Sequence, residues 1–156
     1  MVLRNQIHTR SLALFLAIVA LAVGGGIYIL YRSETLLMFR WTDAIHLNRF
    51  VEDLRQLMSI YTPSVFIKYS LPDGLWSIAY FLIMISIWGK ISKESVAWLC
   101  LMPFFALVSE FMQLTPLMPG RFDIWDVVCY SIPLIMLITI ETVRTCKKKN
   151  TYQSLR

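Results

Sequence analysis

Charged residues are scarce in this sequence. Aspartate, glutamate, lysine and arginine make up 16% of its 156 residues, whereas soluble domains contain about 25%. Hydrophobic residues make up 57%, above the roughly 45–50% of a soluble domain. Most of the charges lie between apolar runs and not within them. The pattern predicts an all-α integral membrane protein that forms a single membrane domain over residues 1–156.

Cysteine and histidine are also rare, with three and two residues. Cys100 and Cys129 fall within apolar runs and Cys146 lies in a basic tail, so these cysteines do not indicate a disulfide framework. His8 lies in the polar segment before the first apolar run and His46 in the hydrophilic segment after it, and no zinc site is predicted. Phosphate-binding loops, dinucleotide fingerprints and Ser/His/Asp arrangements are absent from the sequence as well. The familiar soluble enzyme classes are therefore not indicated.

Four apolar runs predict transmembrane helices, at about 11–31, 70–88, 96–117 and 124–143. At a rise of about 1.5 Å per residue, each is close to the length needed to cross a hydrocarbon core. The first run follows basic residues, as a signal peptide would, but it exceeds the usual apolar length of such a peptide. We interpret it as a retained helix whose glycines at 24–26 allow close packing or a bend. Ser70–Gly74, which contains a proline, is expected to form a turn.

An amphipathic stretch lies between the first two predicted spans, at about 43–61. Its apolar residues recur at helical spacing, namely Leu47, Phe50, Val51, Leu54, Leu57, Met58 and Tyr61. Polar residues fill the opposite face, so this stretch predicts an interfacial helix that lies along the membrane surface. A lid over a functional groove is the alternative interpretation.

The distribution of lysine and arginine predicts the orientation in the membrane. Basic residues concentrate before the first span, in the 89–95 loop and in the C-terminal tail. The positive-inside rule places these three segments, and therefore both termini, in the cytoplasm. The net charge of +5 is then a feature of topology, and no nucleic-acid partner is predicted.

Polar residues cluster around the hairpin between the third and fourth predicted spans. They are Glu110, Gln113, Arg121, Asp123 and Asp126. The first two are three residues apart, as are the two aspartates, so each pair shares a helix face. An ionisable side chain inside a membrane span costs roughly 2.5–3.5 kcal/mol on insertion scales. The cluster is therefore the candidate functional site.

Three interpretations of this cluster are open. Arg121 pairs with Glu110 or Asp126 and the cluster only holds the hairpin together. Alternatively, Arg121 binds a lipid phosphate or a carboxylate, for which arginine is well suited. In the third interpretation, Glu110, Asp123 and Asp126 hold Mg²⁺, a cation that takes oxygen ligands, for chemistry on a lipid phosphate. We favour a non-enzymatic binding protein.

The residues of the cluster also carry a family resemblance. Glu110-x-x-Gln113 and Arg121-x-Asp123-x-x-Asp126, which flank a tight turn between two membrane helices, resemble the VanZ-like family. That family is named for a small membrane protein associated with resistance to the glycopeptide teicoplanin. The resemblance implies a multi-pass protein of the bacterial cytoplasmic membrane, linked to the cell envelope, without an established reaction. A membrane lipid or a lipid-linked wall precursor is the expected partner.

Overall fold

The computed structural model describes residues 2–33 and 37–154, with side chains placed for 7–33 and 39–146. In these residues it is built of helices only. They are α1 (Val2–Tyr31), α2 (Leu37–Ala44), α3 (Asn48–Met58), α4 (Val65–Trp88), α5 (Lys93–Met112) and α6 (Ile124–Ser154). Four segments are long and apolar enough to cross a membrane, namely Ile7–Tyr31, Val65–Trp88, Lys93–Met112 and Ile124–Cys146. The prediction of an all-α protein with four membrane-spanning helices is confirmed.

Helix α4 is the centre of the bundle, because it packs against α1, α5 and α6. Ala17 and Ala20 of α1 meet Ala79 of α4, and such small residues let two membrane helices approach closely. A second cluster takes one residue from each of α4, α5 and α6, namely Phe81, Leu99 and Leu137. Because α4 contacts the other three spanning helices, it lies at the middle of the bundle.

Two glycines lie where α4 comes very close to a neighbouring helix, one at its contact with α1 and one at its contact with α6. A Cβ atom on Gly24 of α1 would lie 2.8 Å from Nε1 of Trp76, and a Cβ atom on Gly74 of α4 would lie 2.8 Å from Cβ of Cys129. The predicted close packing is therefore confirmed at Gly24. Gly26, by contrast, has no neighbour within 4 Å of the position of a Cβ atom.

The second spanning helix begins earlier than predicted. Ser64 is its N-cap and accepts a hydrogen bond from the amide of Ile67, so α4 starts at Val65 and not near residue 70. The prediction of a turn at Ser70–Gly74 is wrong, because these residues lie inside the helix. Pro72 lacks an amide proton and interrupts the hydrogen-bond ladder, but it is buried against neighbouring helices, where a membrane helix tolerates proline.

The other spanning helices also differ from their predicted bounds, α5 at both ends and α1 and α6 at one end. Helix α5 ends at Met112, five residues before the predicted end at 117, where Thr115 bonds back to the carbonyl of Met112. It starts at Lys93, after a reciprocal capping pair between Ser92 and Ser95. Helix α1 starts at Val2 instead of 11, and α6 continues past 143 to Ser154. Polar sequence outside the membrane does not break these helices, since neither flank contains glycine or proline.

The predicted amphipathic stretch contains one helix, α3, and a second short helix, α2, precedes it. The break lies at His46, a residue with a positive φ of 57°, between α2 and α3. Only Val51 of α3 is buried, whereas Phe50 and Leu57 on the apolar face are 60% and 71% exposed. An apolar face left open in this way fits a helix that lies against lipid at the membrane interface.

Arg55 attaches α3 to the end of α1. Its Nη1 donates to the carbonyl of Ile29 at 2.5 Å and its Nη2 donates to the carbonyl of Arg32 at 3.0 Å. The last carbonyls of a helix have no partner within the helix, so a cation there is favourable. The contact holds α3 across the end of α1 at which the candidate site lies.

Candidate functional site

A groove opens at the end of the bundle where α1 and α5 end and α4 and α6 begin. Its volume is about 760 Å³, and it is lined by Arg32, Val65, Tyr69, Arg121, Phe122, Asp123, Ile124 and Asp126. We call it the polar groove. Ligand sites have volumes of roughly 300–1,000 Å³, so it is large enough for a small molecule or a lipid headgroup. Helix α3 contributes no lining residue, so the structure does not support the interpretation of that helix as a lid.

Glu110 is the most buried acidic residue among the described side chains, with 3% of its surface exposed. Its Oε1 accepts a hydrogen bond from the backbone amide of Asp123 at 2.7 Å. Its Oε2 accepts one from Nε2 of Gln113 at 3.2 Å. Both carboxylate oxygens are thus engaged, and the side chain ties the end of α5 to the start of α6.

The loop between α5 and α6 is shaped around these bonds. Gly120 has a φ of 144°, and a Cβ atom at this position would lie 2.6 Å from Oε1 of Gln113, so both conformation and space favour glycine. Asp123 then caps α6, because its Oδ1 accepts from the amide of Trp125 at 2.9 Å. The structure therefore brings Glu110, Gln113 and Asp123 together as their spacing predicts.

Arg121 stands apart from the acidic residues. It is exposed at the edge of the polar groove, and among the described residues it has no ion pair with a carboxylate within 4.0 Å. The interpretation in which Arg121 clamps Glu110 or Asp126 does not match this geometry. The hairpin is held instead by Glu110 and its two donors.

Three further residues of the site were missed by sequence reasoning: Arg32, Asp73 and Tyr130. The guanidinium of Arg32 lies 5.2 Å from the ring centroid of Tyr28 and 4.7 Å from that of Tyr69. Its Nη2 lies 3.8 Å from Oδ2 of Asp73. Two aromatic faces and a carboxylate thus hold this cation on the α1 side of the groove.

Asp73 links this ion pair to the predicted cluster. It lies close enough to Asp126 and Glu110 for their charges to interact, and near the side chain of Tyr130. Asp73 lies roughly 12 Å along α4 from its start. The predicted turn at Ser70–Gly74 puts Asp73 at the very start of the second span, and its contact with the cluster was therefore missed. The signal that would have found it is the apolar run that continues back to Val65 through Pro72.

Asp126 is the acidic residue without a complete set of partners. It lies in the first turn of α6, where the helix dipole favours a negative charge, and it lines the polar groove. Its Oδ1 is buried and accepts no hydrogen bond from the part of the chain that the structure describes. Buried polar atoms usually have a partner, and this oxygen is one of four described side-chain atoms that lack one, together with Nε of Arg32 and the hydroxyl oxygens of Ser70 and Ser77.

The described residues contain no group of three or more His, Cys, Asp or Glu side chains placed to hold a metal ion. Glu110 and Asp123 both use carboxylate oxygens on protein donors. The candidate set of Glu110, Asp123 and Asp126 therefore does not present the several converging oxygens that Mg²⁺ takes. A magnesium site remains an untested prediction.

Comparison with protein-family models, with curated proteins and with solved structures gives no match. The fold and the groove define the class, a multi-pass helical membrane protein with a polar site at one end of its bundle.

Proposed function

We propose that the protein is a VanZ-like component of the bacterial cell envelope that binds an anionic lipid or a lipid-linked wall precursor in the polar groove. The observation that carries this proposal is the position of Arg121, a cation at the edge of a ligand-sized groove and without a carboxylate partner among the side chains that the structure describes. Guanidinium groups bind phosphate through two parallel hydrogen bonds. The action we propose is binding, not catalysis.

The rest of the groove suits an amphiphile. Val65, Phe122 and Ile124 add apolar surface beside the charged residues, and the groove lies at the boundary of the membrane-spanning segments. A ligand there can place its headgroup against Arg121 and its hydrocarbon chain along the bundle. A soluble anion would leave the apolar part of the lining without a contact.

The groove is proposed to face away from the cytoplasm of a bacterial cell. It lies at the end of the bundle opposite the 89–95 loop, and the basic segments favour the cytoplasm by the positive-inside rule. This orientation exposes the groove to the leaflet in which lipid-linked wall precursors are used.

The proposal predicts a loss of bound lipid when Arg121 is replaced. Protein purified in mild detergent retains a phosphate-bearing lipid, and Arg121→Ala reduces the retained amount about tenfold, as expected for a lost charge-assisted contact of about 1.4 kcal/mol. Mass spectrometry of the retained lipids is the measurement. Arg49→Ala is the matched control, since Arg49 is exposed on α3 and does not line the groove. Equal lipid in both variants would refute the proposal.

A metal-assisted enzyme acting on a lipid phosphate is the second candidate. The observation in its favour is the oxygen of Asp126 that has no hydrogen-bond partner among the described residues, since a carboxylate oxygen is a ligand for Mg²⁺. Titration calorimetry with Mg²⁺ and Mn²⁺ tests it, and Asp126→Asn should abolish the binding heat. An absence of binding heat in the wild-type protein rules this candidate out.

A further inference from the structure

We infer that a second cavity at the same end of the bundle binds the phosphate group of an anionic phospholipid through Lys68. This cavity lies between the end of α1, the end of α3 with the loop that follows it, and the start of α4, and its volume is about 330 Å³. We call it the Lys68 cavity. It shares no described lining residue with the polar groove, so it is a site in addition to that of the proposed function.

Lys68 is a cation without a carboxylate partner in the part of the chain that the structure describes. Its Nζ lies 5.2 Å from the ring centroid of Tyr69, and the guanidinium of Arg32 lies 4.7 Å from the same centroid. Arg32 is paired with Asp73, but the first turn of α4 contains no acidic residue that could offset the charge of Lys68. Two cations beside one ring repel each other, and an anion bound to Lys68 reduces that repulsion.

The other polar groups of the Lys68 cavity also suit a phosphate. The hydroxyl groups of Tyr31 and Thr62 line it and can donate hydrogen bonds. Arg55 adds a second positive charge, although its Nη1 and Nη2 already donate to carbonyls at the end of α1. No described lining residue is acidic, and Glu52 of α3 lines a different cavity, between α2 and α3. The Lys68 cavity therefore presents donors and positive charge, whereas the polar groove contains charges of both signs.

The position of the cavity favours a lipid over a free anion. The first spanning segment ends at Tyr31 and the second begins at Val65, so the cavity lies where the hydrocarbon core gives way to the headgroup region. A lysine near the end of a spanning helix extends its ammonium group to that level. Leu30 and Met58 add apolar surface for the first part of the acyl chains, which a free phosphate would leave without a contact.

The occupant that this arrangement selects has a net negative charge. In a choline lipid the quaternary ammonium group offsets the charge of the phosphate and has no N–H to donate, whereas a glycerol lipid keeps its full negative charge. The Lys68 cavity is less than half as large as the polar groove, at about 330 Å³ against 760 Å³. We therefore expect its lipid to exchange with detergent during purification, so the test adds lipid back.

The test uses two lipids with identical acyl chains and with phosphoglycerol or phosphocholine headgroups. Each is titrated into purified protein that carries Arg121→Ala, which weakens binding in the polar groove, and native mass spectrometry measures the bound fraction. The glycerol lipid should bind about fivefold more tightly than the choline lipid, as expected for one lysine beside an anionic headgroup. Lys68→Gln should remove this preference, and Lys68→Arg should keep it. Lys90→Gln is the matched control, since Lys90 is exposed in the 89–95 loop at the other end of the bundle.

The outcomes separate this inference from the proposed function. A preference that survives Lys68→Gln overturns the inference and leaves the proposed function standing, because the latter depends on Arg121. Equal binding of the two lipids by the Arg121→Ala protein overturns the inference as well, and this result decides even if Lys68→Gln does not fold. Inorganic phosphate should not displace the glycerol lipid at equal concentration, and displacement would assign the cavity to a free anion. Retention of lipid that is indifferent to Arg121 refutes the proposed function and leaves a preference that depends on Lys68 intact.

Discussion

Glu110 and Asp126 are both acidic and both belong to the same hairpin, but their surroundings give them different roles. Glu110 is buried and has a donor at each oxygen, which is the arrangement of a structural residue. Asp126 lines the groove and has an oxygen that accepts no hydrogen bond from the described residues. Residue spacing predicts that both lie near the turn, but only the hydrogen bonds show that it is Glu110 that ties the end of α5 to the start of α6.

The structural role of Glu110 predicts the effect of its replacement by glutamine. Glu110→Gln keeps the shape of the side chain but puts an NH₂ group where an oxygen accepts a hydrogen bond. Gln113 can turn its amide so that its oxygen accepts from the new NH₂ group, so we expect a loss of only about 1 kcal/mol in stability, because hydrogen bonds to a neutral amide are weaker than those to a carboxylate. Thermal unfolding in detergent measures this.

A matched control for Glu110→Gln is Glu52→Gln, since Glu52 is exposed on α3. It should leave the unfolding temperature unchanged. Lipid retention by Glu110→Gln at low temperature should stay close to that of the wild-type protein. A large loss of lipid from a variant that is still folded would place Glu110 in the binding site instead.

At the scale of the elements, helix α4 explains most of the difference between prediction and structure. Apolar runs located all four spans, because each run is long and nearly free of charge. The ends of the helices were harder to predict, because Pro72 and Asp73 are residue types that favour a turn. Packing of α4 against α1 and α6 outweighs that local preference. Asp73 and the distant Arg32 and Tyr130 then join the site through tertiary contacts, which the spacing of residues along the chain does not encode.

The close packing of α4 on α6 predicts that Gly74 does not tolerate a side chain. Its Cβ position lies 2.8 Å from Cβ of Cys129, and both atoms belong to rigid helix positions. Gly74→Ala should therefore destabilise the protein by about 1–3 kcal/mol, as overpacked cores do, although alanine is the better helix former. Thermal unfolding in detergent is again the measurement.

Gly26→Ala provides the matched control, because no atom lies within 4 Å of its Cβ position. It should be neutral or slightly stabilising, by up to about 1 kcal/mol. If Gly74→Ala and Gly26→Ala had the same unfolding temperature, α4 and α6 would not pack as closely at Gly74 as the structure shows.

At the scale of the whole molecule, the bundle has two different ends. One end carries the polar groove and the α2–α3 segment, which Arg55 attaches to α1. The other carries the 89–95 loop, where Arg10 of α1 donates a hydrogen bond to the carbonyl of Trp88 at the end of α4. The polar groove and the amphipathic helix α3 therefore lie at the same end of the bundle.

The proposed orientation of these two ends can be tested with thiol labelling. Cys146 is exposed near the end of the last spanning segment, on the side proposed to be cytoplasmic. A membrane-impermeant maleimide should therefore label it only after the cells are permeabilised. In a Cys146→Ser background, Leu117→Cys should be labelled in intact cells, since Leu117 is 76% exposed in the loop between α5 and α6. Cys129 is buried and Cys100 is partly buried within the bundle, so the Cys146→Ser protein gives the background signal.

The reverse labelling pattern would put the polar groove in the cytoplasm and exclude ligands confined to the outer leaflet.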